Sequence, residues 1–182
     1  MVRDVAGLRT WPGLYHRAMS DYELAEVNIA LARDGLDSPL LADFVAALDP
    51  VNARADRAPG FVWRMQNADG DATGIRGFGG DPNLIINMSV WESLAALREF
   101  AYRHPDHLQV MRQRRKWFER LEFHMVLWWV PAGHRPSVEE AEARLECLRH
   151  NGPTAAAFTF RTSFDHPDAT DELVDDRRLC PA

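Results

Sequence analysis

The sequence is poor in several features that would announce a function class. Its 182 residues include only two cysteines, Cys147 and Cys180. Neither stands in a metal-ligand spacing, so neither a zinc site nor a disulfide framework is expected, and a reducing cytoplasm is the default compartment. No apolar run approaches the length of a membrane-spanning helix, and the N-terminus lacks the hydrophobic core of a signal peptide. Positive charge is not in excess: the net charge is −6 at pH 7, which argues against a general cationic field for nucleic acid or an anionic membrane. Of the 21 lysines and arginines only Lys116 is a lysine, a bias that hints at a GC-rich genome and says nothing about mechanism. There is no nucleophile elbow, phosphate loop, dinucleotide fingerprint, zinc-protease motif or solenoid-period repeat.

What remains is the profile of one globular domain, 46% hydrophobic and 26% charged. Residues 1–20 show no clean period and are expected to be an extension. Residues 21–164 hold the domain, and residues 165–182 are polar, proline-containing and expected to be a loose tail. Within the domain "YELAEVNIA" alternates as a strand. "DSPLLADFVAAL" opens a helix, with Ser38 as N-cap, Pro39 in the first turn and a break or kink at Asp49-Pro50. "FVWRMQ" and "LIINMSVWES" are strands. Residues 92–103 and 106–122 are expected to be helical, "FHMVLWWV" a strand and "SVEEAEARLECLRHNG" a helix with a Ser137/Glu140 capping box and Gly152 at its end. "AFTF" closes the series as a short strand.

The order β-α-β-β-α-β predicts an α+β, ferredoxin-like antiparallel sheet with helices on one face. The other face needs cover. Strict alternation assembles Glu26, Asn28, Arg64, Gln66, Asn87, Ser89, Trp91, His124 and Trp128 on it. An exposed tryptophan-bearing face is an interface or a ligand groove, so a homodimer closing a barrel is expected, with a small-molecule pocket inside. Of the candidates, Asn28, Asn87 and Trp91 are expected as hydrogen-bond donors to a ligand, Arg64 as the holder of negative charge, and His124 or His107 as the proton carrier, since imidazole titrates near neutral pH. Glu26, Asn28, Gln66, Ser89 and Trp128 line the pocket. His104 and His107 stand three apart, but Pro105 interrupts the helix and no third ligand is evident, so no metal is expected. The run "RQRRKW" reads as the solvated face of a helix, Trp117 and Phe118 as core, and His134 as a turn residue bonding to backbone.

Several of these segments together ("YELAEVNIA", "PGFVWRMQ", "INMSVWESLAALREFAYR", "RRKWFE", "LWWVPAGHRPSVEEAEARL", "GPTAAAFTF") resemble an uncharacterised bacterial domain family. That family is grouped with the dimeric α/β-barrel, antibiotic biosynthesis monooxygenase-like superfamily. The resemblance implies the ferredoxin-like fold and a homodimeric barrel. Cofactor-free oxygenases of the superfamily surround a phenolic substrate with an asparagine, a tryptophan and an arginine. Asn87 and Trp91 resemble the first two, and the arginine has no clear counterpart. Haem-degrading members use a first-strand asparagine with a helical histidine and tryptophan. Asn28 and His107 occupy comparable elements, but the tryptophan falls near Phe100. The implied function is a cofactor-independent monooxygenase acting on an aromatic or polyketide-like phenol through an enolate or phenolate. An isomerase or cyclase, a haem protein and a non-catalytic ligand-binding dimer are the alternatives.

Overall fold

The computed structural model describes residues 21–67, 77–103 and 112–167. Four strands, β1 (Tyr22–Leu31), β2 (Phe61–Arg64), β3 (Leu84–Trp91) and β4 (Met125–Pro131), form one sheet in the order β2-β3-β1-β4. All three pairings are antiparallel. Helices α1 (Ala42–Ala55), α2 (Leu94–Arg103) and α3 (Val138–Asn151) pack on it, and residues 112–117 are also helical, an α+β, ferredoxin-like arrangement as expected.

The register of β1 sorts the sheet into two faces. Ala25 lies opposite Val90 on one side and Trp128 on the other, and Val27 lies opposite Met88 and Val126. Apart from Glu23 at the end of β1, this face is apolar, and it is covered by Ala141, Leu145 and Leu148 of α3. These residues recur at helical spacing and so fall on one stripe. The helix starts where the Ser137 hydroxyl accepts the Glu140 N–H at 3.2 Å, and it ends at Gly152, whose φ of 70° suits glycine. The expected capping box is only half formed. The Glu140 carboxylate turns away from Ser137 to accept the Trp128 indole N–H at 2.8 Å and meets His134 Nε2 at 2.7 Å. His134 therefore bonds a carboxylate where a backbone partner was expected.

The second face carries Glu26, opposite Ser89 and Leu127, and Asn28, opposite Asn87 and Met125. It too is covered by this chain. Leu97 and Phe100 of α2 pack with Trp91, Leu24, Leu127 and Phe158, and Phe44 of α1 packs with Trp117 and Phe118. Helices thus lie on both faces, not on one, because α3 folds back across the sheet after the β-α-β-β-α-β unit is complete. The uncovered Trp91 face that motivated the homodimer is not present.

Several local expectations also change. Helix α1 begins at Ala42, after Leu41, with no side-chain cap; Ser38 instead sits in a turn, its N–H donating to Gly35 at 3.0 Å. A proline's fixed φ suits a turn as well as a first helical turn. Of the break or kink expected at Asp49-Pro50, the break does not occur: Pro50 lies inside α1, which continues to Ala55. The expected helix over 106–122 is described only from 112 to 117. It stops there because Phe118 bridges Ala32, with Glu119 N–H donating to Leu31 O at 2.8 Å. Cys147 is disulfide-bonded, against the expectation from cysteine spacing; the other half of that bond lies outside the described residues. "AFTF" contributes an isolated bridge, Leu127 to Phe158, at the free edge of β4. Of the expected tail, His166 stacks on Tyr22 and meets Trp129 edge-on; residues 168–182 lie outside the description, as does the expected extension over 1–20.

The role of α3 as cover can be measured. Leu145→Ala, at a fully buried position, should cost about 2–5 kcal/mol in urea unfolding, whereas Val45→Ala on the exposed side of α1 should stay within about 0.5 kcal/mol. Equal, small effects at both positions would contradict the packing of α3 on the sheet.

Candidate active site

Between the second sheet face and helices α1 and α2 lies a cavity of about 270 Å³. Its walls are largely apolar. Phe44 and Leu48 come from α1, Leu97 and Phe100 from α2, and Ile85 and Phe118 from the strand and bridge below. Polar groups reach it from Glu26, Asn28, Ser89 and Asn87 on the sheet and from Arg64, Tyr102, Arg114 and His124 at its margins. A concave, mostly apolar chamber with a few convergent polar groups is the usual form of a small-molecule site.

Glu26 is its chemical centre. Its side chain sits at the middle of β1 and the residue is only 5% exposed. Asn28 Nδ2 donates to Oε1 at 2.8 Å, and Ser89 Oγ donates to Oε2 at 3.1 Å. The Trp91 indole N–H in turn donates to Ser89 Oγ at 2.9 Å. An indole N–H has no acceptor capacity. It therefore fixes the Ser89 oxygen as an acceptor on one side and leaves the hydroxyl proton for Glu26. Every donor in this chain points toward the carboxylate. Burial nevertheless dominates and pushes the Glu26 carboxyl up to about 7, with the Asn28 and Ser89 hydrogen bonds pulling it back. A carboxyl group that titrates near neutrality is suited to take and return a proton.

The neighbouring groups are tuned in other directions. Burial lowers the His124 imidazole, the Arg114 charge lowers it further, and a backbone hydrogen bond with Leu121 opposes both. Partial burial raises the Tyr102 phenol; Arg98 lowers it and the charge of Glu26 raises it. A second, more open cavity, bordered by Arg98 and Arg161, shares Tyr102, His124, Met125 and Phe160 with the first.

The expected site residues fare unequally. Glu26, Asn28, Arg64, Asn87, Ser89, Trp91 and His124 all line the chamber. Asn87 is exposed there and its side-chain amide makes no hydrogen bond among the described residues. Trp91 is 1% exposed and its N–H is engaged by Ser89, so it supplies a wall and a fixed donor to Ser89, not a donor to a ligand. The Arg64 guanidinium is forked onto Asp56, with Nε to Oδ1 at 2.8 Å. Gln66 is exposed and away from the chamber. Trp128 lies on the opposite face under α3. Its parity was counted along β4 alone, while the register that decides its face, Ala25 opposite Trp128, is a cross-strand fact. His104 and His107 lie outside the described residues. Among the described residues no three His, Cys, Asp or Glu side chains gather as a metal site. Arg114 was missed: it belongs to the "RQRRKW" run read as solvated, yet it faces the chamber one helical turn before buried Phe118.

The Glu26 environment makes a stability prediction. Burial raises this carboxyl above its unfolded value near 4.5, so its protonated form favours the folded chain. That contribution is complete below about 4.5 and is lost as pH rises through about 7. Its size is roughly 3 kcal/mol on the usual conversion of a pKa shift. Gln mimics the protonated acid. Glu26→Gln should therefore gain stability relative to the parent chain between pH 5 and pH 8, by an amount of that order, in unfolding titrations at both pH values. Parallel pH profiles for the two chains would show that Glu26 is not held in this state.

Comparison with known proteins places the chain in a family without adding chemistry. No curated protein matches it. Among solved structures it is similar to SnoaB, a cofactor-independent oxygenase from Streptomyces nogalater, at 19% identity over 62% of this chain and 95% of that chain, with a TM-score of 0.39. A putative antibiotic biosynthesis monooxygenase from Nitrosomonas europaea is 12% identical over 64% and 95% of the two chains, with a TM-score of 0.42. Rv0793 from Mycobacterium tuberculosis is 15% identical over 63% and 99%, with a TM-score of 0.41. Residues 23–174 match the model of the domain of unknown function DUF3291, and the chain belongs to that family.

Proposed function

We propose that the chamber is an acid–base active site in which Glu26 moves a proton on a small enolisable or phenolic molecule, and that the reaction completed there is a cofactor-independent monooxygenation. One observation carries the proton-transfer half: a buried carboxyl, titrating near 7, faces an apolar chamber with its hydrogen-bond donors already in place. The oxygenation half rests on the resemblance of Asn87 and Trp91 to the asparagine and tryptophan of the cofactor-free oxygenases, with Trp91 serving here as a wall.

In this reading Glu26 as carboxylate takes a proton from an activated methylene carbon. Exclusion of water and the apolar walls keep the resulting enolate from being quenched. The Asn87 amide is available as its hydrogen-bond donor, because no side chain of the described residues occupies it. The enolate passes one electron to dioxygen, and the radical pair combines to a peroxide anion that recovers the proton from Glu26. Removal of the second C–H proton then breaks the O–O bond and releases water. In sum, one methylene group and one dioxygen become one ketone carbonyl and one water, with carbon oxidised by four electrons and oxygen reduced by four. A second reading shares the first step only: an isomerase or cyclase would return the proton at a different carbon. A group near pKa 7 supports that as well, since it serves as base and acid in turn.

The two halves are separable by experiment. Incubation with 2-tetralone in heavy water should exchange the α-protons, read by NMR, and Glu26→Gln should slow enzymatic exchange by about 10²–10⁴-fold. Oxygen uptake with an enolisable polycyclic phenol, read at an electrode, decides between monooxygenation and isomerisation. Exchange without uptake favours the second reading, and exchange unaffected by Glu26→Gln would remove Glu26 as the base.

Asn87 gives an independent prediction. Asn87→Ala should leave the melting temperature nearly unchanged, because the amide is exposed and makes no hydrogen bond among the described residues, while lowering turnover by roughly two to three orders of magnitude if it stabilises the enolate. Asn87→Asp should be at least as harmful, since it presents negative charge where a donor is needed. Normal turnover in Asn87→Ala would assign the residue to the chamber's rim alone.

A further inference from the structure

The chamber is electrically lopsided. Arg64 faces it but is neutralised by Asp56. Glu26 takes its hydrogen bonds from Asn28 and Ser89, not from a cation. Arg114 faces the same apolar space with no carboxylate partner among the described residues. It stands one turn before Phe118, whose N–H donates to Arg114 O at 2.9 Å, so its backbone is fixed by the helical turn that the Phe118–Ala32 bridge anchors to the sheet. The guanidinium also acts on its surroundings: its charge is felt at His124, which is held toward the neutral form, whereas the groups hydrogen-bonded to Glu26 are the neutral Asn28 and Ser89. The cation therefore is not the counter-ion of the proposed base.

Arg114 is half-buried, so its guanidinium is only partly hydrated and gains from an anionic partner, and its planar fork matches a carboxylate in two parallel hydrogen bonds. We propose that the molecule bound in the chamber is an aromatic or polycyclic carboxylic acid whose carboxylate docks on Arg114 while its ring system lies between Phe44, Leu48 and Ile85. The inference rests on the chamber being the substrate site proposed above, and it adds the substrate's charge and orientation. The arrangement has a functional logic. With the anionic end held by Arg114, the carbon that loses its proton is presented at the Glu26 end, away from the cation. His124, lying at the junction with the outer cavity, is held toward its neutral form and so competes little for the anion. A substrate acid is thus distinguished from the neutral ring systems that the apolar walls alone would accept.

Binding alone tests this, without turnover. 2-Naphthoic acid and 2-naphthamide share shape and differ in charge. Titrated into the full chain with tryptophan fluorescence as readout, the acid should bind on the order of ten- to a hundredfold more tightly than the amide, the range expected for hydrogen bonds to a charged group. Arg114→Gln should abolish that preference while leaving amide affinity unchanged. Arg114→Lys, which keeps charge but loses the fork, should retain only part of it, and this second variant keeps the test open if Arg114→Gln does not fold. Glu26→Gln should keep the full preference, so failure of the base assignment and failure of the docking assignment give different patterns. Equal affinity for acid and amide in the parent chain, lack of binding by both, or a preference that survives Arg114→Gln would overturn the proposal.

Discussion

The structure turns on one constraint: a carboxyl group is buried in the middle of the central strand. Glu26 has β3 on one side and β4 on the other, so it cannot swing to solvent. Burying an ionised carboxylate without a partner is prohibitive, and proteins answer by supplying donors, by letting the group hold a proton, or both. Here both are seen. Asn28 lies two residues along the same strand, hence on the same face, and reaches one oxygen; Ser89, opposite in register, reaches the other. Trp91 then fixes the direction in which Ser89 can donate. A strand sequence of Glu-x-Asn facing Ser-x-Trp is the local solution to a single buried acid.

The rest of the second face follows from that polar stripe. Residues that hydrogen-bond to one another within the sheet cannot also interdigitate with helices, so α1 and α2 rest on the apolar margins of the stripe and leave a chamber over its centre. Trp91 marks the margin on the α2 side, edge-on to Phe61 and stacked at a tilt with Phe100. Phe44 marks it on the α1 side, against Trp117 and Phe118. Gly60 lets the chain come this close: a Cβ there would stand 2.6 Å from that of Ala96 in α2. The opposite face needs no such gap, and α3 closes on it with Leu145 and Leu148.

Much of this was legible in the sequence, because alternation in β1 and β3 is clean and is a local property of the strand. Glu26, Asn28, Asn87, Ser89 and Trp91 were placed on one face from parity alone. Parity failed where the strand itself gave no contrast. β4 is apolar on both sides, so alternation along it alone gives Trp128 no reference face, and its register with Ala25 puts it under α3. It failed again in β2, where a bulge between Phe61 and Trp63 puts Phe61 and Arg64 on the same face although strict alternation separates them. The raised Glu26 carboxyl was also hidden, since its shift comes from burial by segments distant in the chain. Arg114 was hidden for the converse reason: a basic run looks solvated until the direction of each residue on its helix is known.

The two charged groups that face the chamber without a salt-bridge partner among the described residues answer different physical needs, and their separation is what gives the site a direction. If Arg114 were the counter-ion of Glu26, the pair would hold the carboxylate ionised and depress its affinity for protons, leaving a weak base and an occupied cation. Instead Glu26 is balanced by neutral donors, which stabilise its anion without abolishing its tendency to bind a proton, and Arg114 is left to organise its own end of the cavity. His124 is held toward its neutral form by burial and by Arg114. What results is a low-dielectric space with one proton-exchanging group, one fixed cation and, at Asn87, an amide that no described side chain engages. That combination does little for stability, since none of the three is paired with another. It is the distribution expected where the missing partner is a bound molecule.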